Sequence, residues 1–334
     1  MKRHIAATIV IVAVILAVAG IFFSGYGFAR PAPRPDTVLI GGPALEQNAL
    51  IYVAMEKGFF EANGLNVTLR EDYPNGVGPV NDLAAGNVDV SVSSEYPVIA
   101  RIISGGDIGI IATIDKYQNE ELISRKDAGI RNITDLRGKR IGLPRGTILE
   151  YFLGILLERN GMTIGDVHLV DVNTTYSADA VANGDVDAIM YFQPYVSRIL
   201  DRLGDNAVTW PGQSNQALYG VLAARGDWVQ DNAGTVGRLL QSLEDAQEYS
   251  IAHPDETEAI VQKHLNLSDE YTGSVWPDHR FSLSLDQSLL VAMNDEGRWM
   301  IINNLTTEKT LPDFRTHIYG QGLEKIRPES VDIR

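Results

Sequence analysis

The chain has 334 residues, 45% apolar and 21% charged, an ordinary globular composition with room for about two domains. A net charge of −15 argues against nucleic-acid binding, because nothing here neutralises a phosphate ladder. The absence of cysteine excludes disulfides, thiolate nucleophiles, thiolate zinc sites, cysteine-ligated iron–sulfur clusters and a lipidated-cysteine anchor.

At the N-terminus, Lys2-Arg3-His4 precedes Ile5–Phe23, nineteen residues without a charge. At about 1.5 Å per residue this run spans about 28 Å, close to the roughly 30 Å hydrocarbon core. A retained membrane anchor is expected, with a signal peptide cleaved near Gly27-Phe28-Ala29 as the alternative. The cationic end stays inside, so the remainder is expected outside the membrane, tethered or secreted. Residues 1–29 therefore read as signal or anchor, and residues 30–35, Arg-Pro-Ala-Pro-Arg-Pro, as a stiff linker.

From Asp36 strands and helices alternate. Strands are predicted at Thr37–Gly41, Val67–Glu71, Val88–Val92 and Ile108–Ile114, and helices at Ala49–Glu61, Val77–Ala85 and Tyr96–Ser104. Glycines at 64, 86 and 105 stop the helices. A second run repeats the order. A helical turn at Asn132–Leu136 is followed by strands at Lys139–Leu143, Val167–Val172 and Val186–Met190, with helices at Thr147–Asn160, Ser177–Ala182 and Pro194–Leu203. Beyond a strand at Tyr219–Arg225, helices dominate: Val229–His253, Pro254–His264 and Leu285–Asn303. Two related α/β domains with largely parallel sheets are expected, the helical tail packing back on one of them.

The repeat is sharpest between GNVDVSVSSEYP (86–97) and GDVDAIMYFQPY (184–195), which align Asp89 with Asp187 and Glu95 with Gln193. Each spells a turn, a strand and a polar tip before a helix. In open parallel sheets, ligands bind beyond the carboxyl ends of the strands, where unpaired helix N–H groups favour anionic or polar heads. Ser93, Ser94 and Glu95 sit at one tip and Gln193 at the other. Ser94 and Glu95 also read as simple helix caps, but two equivalent tips facing one cleft favour binding. LPRGTILEYF (143–152) adds a third loop, in which Gly146 admits a ligand to the backbone and Thr147 opens a helix. Asp89 and Asp187 read as structural, bonding backbone at the turn-to-strand junction. Catalytic and nucleotide motifs are missing: no HExxH, GxSxG, Walker or GxGxxG pattern occurs, and the six histidines are scattered. No catalytic residue, metal ligand or cofactor is assigned.

Several stretches together resemble the periplasmic-type substrate-binding proteins of ABC importers, in the group that handles nitrate, sulfonates, taurine and thiamine-pyrimidine precursors. They are YVAMEKGFFEANGLNV (52–67), LAAGNVDVSV (83–92), ITDLRGKRIGLPRGT (133–147), LLERNGM (156–162), ANGDVDAIMYFQPY (182–195) and AHPDE (252–256). The resemblance implies a type II periplasmic-binding-protein-like α/β fold of two domains that close on a small molecule and deliver it to a permease with its ATPase. Domain I would be 36–115 plus 220–334 and domain II 116–219, with hinges near Thr113–Tyr117 and Leu218–Val221. It implies ligand contacts from Gln47, Asn48, Ser93, Ser94, Gly146, Thr147 and Gln193, with Thr113 and Tyr219 beside the hinges. Family members often carry an acid where Gln193 stands, which points to a different ligand group at that tip. A sulfonate-, taurine- or nitrate-like ligand is favoured by the helix N-termini, and a pyrimidine-type ring stands as the alternative. A tethered sensor and a same-fold enzyme are the rival functions; the same-fold enzymes considered rely on cysteine, which this chain lacks.

Overall fold

The computed structural model describes residues 35–333, of which 36–333 belong to one compact unit beginning at Asp36. The expected anchor, and all of the linker but Pro35, lie outside the described residues. Among the described residues, no helix is long and apolar enough to cross a membrane.

Two five-stranded sheets organise the chain. Sheet I contains β1 (Asp36–Gly41), β2 (Leu65–Arg70), β3 (Val90–Ser94), β4 (Ile108–Tyr117) and β10 (Leu218–Arg225), in the order β2-β1-β3-β10-β4. Sheet II contains β5 (Glu121–Arg125), β6 (Arg140–Leu143), β7 (His168–Asp171), β8 (Ala188–Tyr191) and β9 (Ala207–Pro211), in the order β7-β6-β8-β5-β9. In each sheet one strand is reversed: β10 runs antiparallel to β3 and β4, and β5 to β8 and β9. Each reversed strand follows directly on a strand of the other sheet, so the sheets exchange one strand apiece.

The sequence repeat is a repeat of hydrogen bonds. Asp89 accepts the Leu39 N–H at 2.8 Å, and Asp187 accepts the Arg140 N–H at 2.8 Å. Each carboxylate thus ties the turn before its strand to the neighbouring parallel strand, as expected of a structural aspartate. The turns themselves use Gly86 at φ 77° and Gly184 at φ 80°, left-handed positions that only glycine adopts without strain. The reversed strands duplicate as well. Arg225 at the end of β10 donates to Leu83 O, and Arg125 at the end of β5 donates to Val181 O, 98 residues on from Leu83.

Three sequence expectations change. Strands β5 and β9 were not expected; β5 begins and ends on charged residues, and β9 is an edge strand ending at Pro211 and partly exposed along its length. The long helix expected at Val229–His253 is two, α8 (Gly226–Asp231) and α9 (Ala233–Ala252), broken at Asn232. The expected hinge segments Thr113–Tyr117 and Leu218–Val221 are paired strand, with Thr113 opposite Val221 and Tyr117 opposite Leu218. A hydrogen-bonded ladder resists bending. The links between the sheets that lie outside the strands are residues 118–120 and 212–217.

The helical tail packs back as expected. Helix α9 buries Val236, Leu239, Leu240, Leu243 and Ala246 against α1 (Ala49–Glu56), a stripe at helical spacing. Further on, α12 (Gln287–Ile302) packs both on α4 (Glu95–Ile103), which follows β3, and on α5 (Ile148–Glu158), which follows β6. The tail therefore touches elements of both sheets.

Candidate functional site

The cavity beside the repeated tips is lined by Gln47, Asn75 and Ser94 from the side of sheet I. Thr147, Ile148, Leu149 and Phe192 line it from sheet II, and Tyr117, Glu120 and Leu218 from the crossovers. Its volume is about 40 Å³. Small-molecule pockets usually hold roughly 300 Å³ or more, so a ligand enters only if the walls part.

Two helices begin at its wall. Ser94 precedes α4 and Thr147 precedes α5, both with extended backbone, and neither side chain caps its own helix. The first N–H groups of each helix lack intrahelical partners and carry the positive end of the helix dipole. The Thr147 hydroxyl donates to Pro144 O at 2.7 Å, which fixes its rotamer. Gly146, at φ 75°, turns the chain into this position.

Of the ten residues expected at the site, Gln47, Ser94 and Thr147 line the cavity. Gln47 accepts the Tyr117 phenol at 3.2 Å. The other seven stand behind it or beside it. Asn48 is buried and braces its loop, donating to Pro43 O at 2.7 Å. Ser93 donates to Ser94 O at 2.8 Å, and Thr113 is buried within β4. Gly146 is one residue from the lining. The Gln193 side-chain oxygen accepts the Ser197 hydroxyl at 2.9 Å, so this tip caps its own helix. Tyr219 donates its N–H to the Glu95 carboxyl at 3.1 Å and its phenol to Ser288 at 2.7 Å.

Glu95 is fully buried, bound to Tyr219 and adjacent to Glu296 of α12. Burial raises the proton affinity of both acids; Glu95 raises that of Glu296 further, whereas the hydrogen bond from Glu296 partly offsets the rise at Glu95.

Glu120 and Asn75 line the cavity without having been expected there. Glu120 is only 4% exposed, and its Oε2 has no hydrogen-bond partner among the described residues. Burial, reinforced by the nearby Glu95, pushes its carboxyl well above the usual range. Among the described residues, no lysine or arginine lines the cavity. Lys116 is paired with Asp286, and Arg145 with Glu150. The Asn75-Gly76 turn signal was visible in sequence; nothing in the run Gln118-Asn-Glu-Glu121 marks one glutamate as buried.

Two sheets with exchanged strands and a polar cavity between their loops define the periplasmic-binding-protein fold. Its known structures include the periplasmic aliphatic sulphonate binding protein SsuA from Escherichia coli. That structure has a TM-score of 0.72 at 17% identity, covering 85% of this chain and 98% of its own. The desulfurization enzyme DSZB shares the fold at a TM-score of 0.63 and 18% identity, over 88% of this chain and 99% of its own. Residues 46–257 match the family described as NMT1/THI5 like, and the chain belongs to that family. A Bacillus subtilis relative named for aliphatic-sulfonate binding is 28% identical over 275 residues, 80% of each chain. A Haemophilus influenzae relative named for thiamine biosynthesis is 27% identical over 237 residues, 69% of this chain and 74% of its own.

Proposed function

We propose that the protein is an extracytoplasmic solute-binding protein that captures a small polar molecule between two hinged lobes and delivers it to an ABC permease. One observation carries this reading: a narrow cavity is lined from both sheets, with the starts of two helices at its wall. The lobes are centred on the two sheets, and the hinges are the links 118–120 and 212–217. A ligand touching both lobes stabilises the closed form by its differential affinity. The helix N-termini favour an oxyanion head such as a sulfonate, in keeping with the name of the Bacillus subtilis relative. A binding role is supported by the name of the Bacillus subtilis relative. The taurine-binding periplasmic protein of Escherichia coli, 26% identical over 200 residues, supports an extracytoplasmic location here.

The test is a thermal-shift screen of the full-length chain against sulfonates, nitrate, pyrimidines and small carboxylates. A true ligand at 100 times its Kd adds about 2.7 kcal/mol. Ser94→Ala and Thr147→Ala are each expected to weaken that ligand about tenfold. Stability should stay within about 1 kcal/mol of the parent. Unchanged affinity in both variants removes the two helix starts from the binding site.

A further inference from the structure

We infer that Glu120 is a specificity-determining residue of this cavity, and that the molecule it selects presents an amine to its carboxyl group. This rests on the solute-binding reading above and narrows the class of solute.

The placement of Glu120 carries the inference. It lies in the first link between the sheets, and its backbone is held at both ends. Its N–H donates to the Gln213 side chain at 3.0 Å, and its C=O accepts the Gly212 N–H at 2.8 Å. Gln213 also donates to Tyr117 O at 3.0 Å, so one glutamine ties the two links together. The direction of the glutamate side chain is therefore set before any ligand arrives. At its end, Oε2 is buried at the cavity without a partner.

A buried carboxyl group with no partner destabilises a fold, and an apolar side chain of similar size would not. The surroundings increase the demand for a donor. Glu95 stands close enough to raise the proton affinity of Glu120. The other polar groups at the wall are Gln47, Asn75, Ser94, Tyr117 and Thr147, and none carries positive charge. The cations that flank lining residues in sequence, Lys116 and Arg145, are paired elsewhere. A ligand ammonium supplies both the missing hydrogen bond and the missing charge, and an aromatic amine supplies the hydrogen bond. Tyr117 and Phe192 offer ring surface beside it. The N-termini of α4 and α5 remain available for an oxyanion on the same molecule, so an aminosulfonate or an amine-bearing ring suits the cavity better than a simple anion.

The experiment uses matched probes that differ by the amine alone: taurine against ethanesulfonate, and 4-aminopyrimidine against pyrimidine, each titrated calorimetrically into the full-length chain. At least one amine-bearing member should bind about tenfold to a hundredfold more tightly than its partner. Glu120→Gln should erase that preference. Glu120→Leu should raise the Tm without ligand, because it relieves an unpartnered buried group. A lowered Tm in Glu120→Leu marks the residue as structural and overturns the inference. So does a preference that survives in Glu120→Gln. Binding of the amine-free members alone overturns the inference while leaving the solute-binding reading intact. Failure of all four probes, and of the wider screen, removes that reading and the inference with it.

Discussion

Replacing Asp115 with alanine is expected to destabilise the protein by about 3–5 kcal/mol, the range for removing one partner of a buried ion pair. Asp115, near the end of β4, holds His279 through Oδ2 and Nδ1 at 2.6 Å, and its Oδ1 accepts the Arg280 N–H at 3.0 Å. The two side chains are 0% and 2% exposed. The imidazole stacks on Tyr117 at 4.9 Å and on Phe281 at 5.2 Å, so the pair pins the tail to the strand that leads into the first link. Burial disfavours the imidazolium, but the field and hydrogen bond of Asp115 outweigh it, and the His279 pKa is raised. A raised folded pKa fixes the sign: the stabilisation is fully present below the unfolded value of about 6.5 and is lost as pH rises through the folded value. The gap between parent and Asp115→Ala in urea unfolding should therefore narrow as the pH is raised above the unfolded value of about 6.5. A gap that is absent, or that widens with pH, contradicts this role.

Gly154→Ala is the second large effect. A Cβ at Gly154 would lie 2.2 Å from Trp299 Cζ2 and 2.6 Å from Cε2, distances no real side chain sustains. Gly154 is on α5 and Trp299 on α12, where the indole N–H donates to Glu158 at 3.2 Å and the ring meets Tyr151 edge-on at 5.7 Å. In the hinged reading this packing joins the second lobe to the tail and forms as the lobes close. Overpacking of this kind costs about 1–3 kcal/mol, so ligand affinity should fall about tenfold to a hundredfold. Trp299→Ala alone loses a large buried side chain and should cost about 3–5 kcal/mol. Combined with Gly154→Ala it should cost less than the sum of the two, by about 1 kcal/mol or more, because the clash is gone. Additive effects in calorimetry and unfolding would show that the glycine is not there to receive the indole.

Much of the frame was legible because it depends on short-range pattern. The alternation of strands with glycine-stopped helices, and the Gly-x-Val-Asp turns, predict both runs of elements and the structural part played by Asp89 and Asp187. The tips are local as well, which is why Ser94 and Thr147 were visible as helix starts beside a cavity. What escaped depends on contacts distant in sequence. Glu120 is buried because Gln213, 93 residues away, folds the return link over it. Glu296 stands in the sequence between Asp295 and Gly297 like any solvated acid; only the approach of α4 places it beside Glu95. Strands β5 and β9 lie outside the strand–helix alternation and join sheet II through antiparallel pairing of β5 with β8 and β9. The segments expected as hinges are strand for a related reason: pairing between β4 and β10 extends to Tyr117 and Leu218, further than the apolar pattern alone indicates.

Closure of the two lobes on a solute is tested most directly by the distance across the cavity mouth. The chain has no cysteine, so Pro74→Cys and Thr175→Cys introduce the only two thiols, in exposed positions of the loops that follow β2 and β7. Spin labels there report the separation in the full-length protein by pulsed electron resonance, before and after saturation with the tightest-binding compound of the screen. Hinged closure predicts that the distance distribution shortens and narrows on saturation. An unchanged distribution, with calorimetry confirming that the compound is bound, would contradict it.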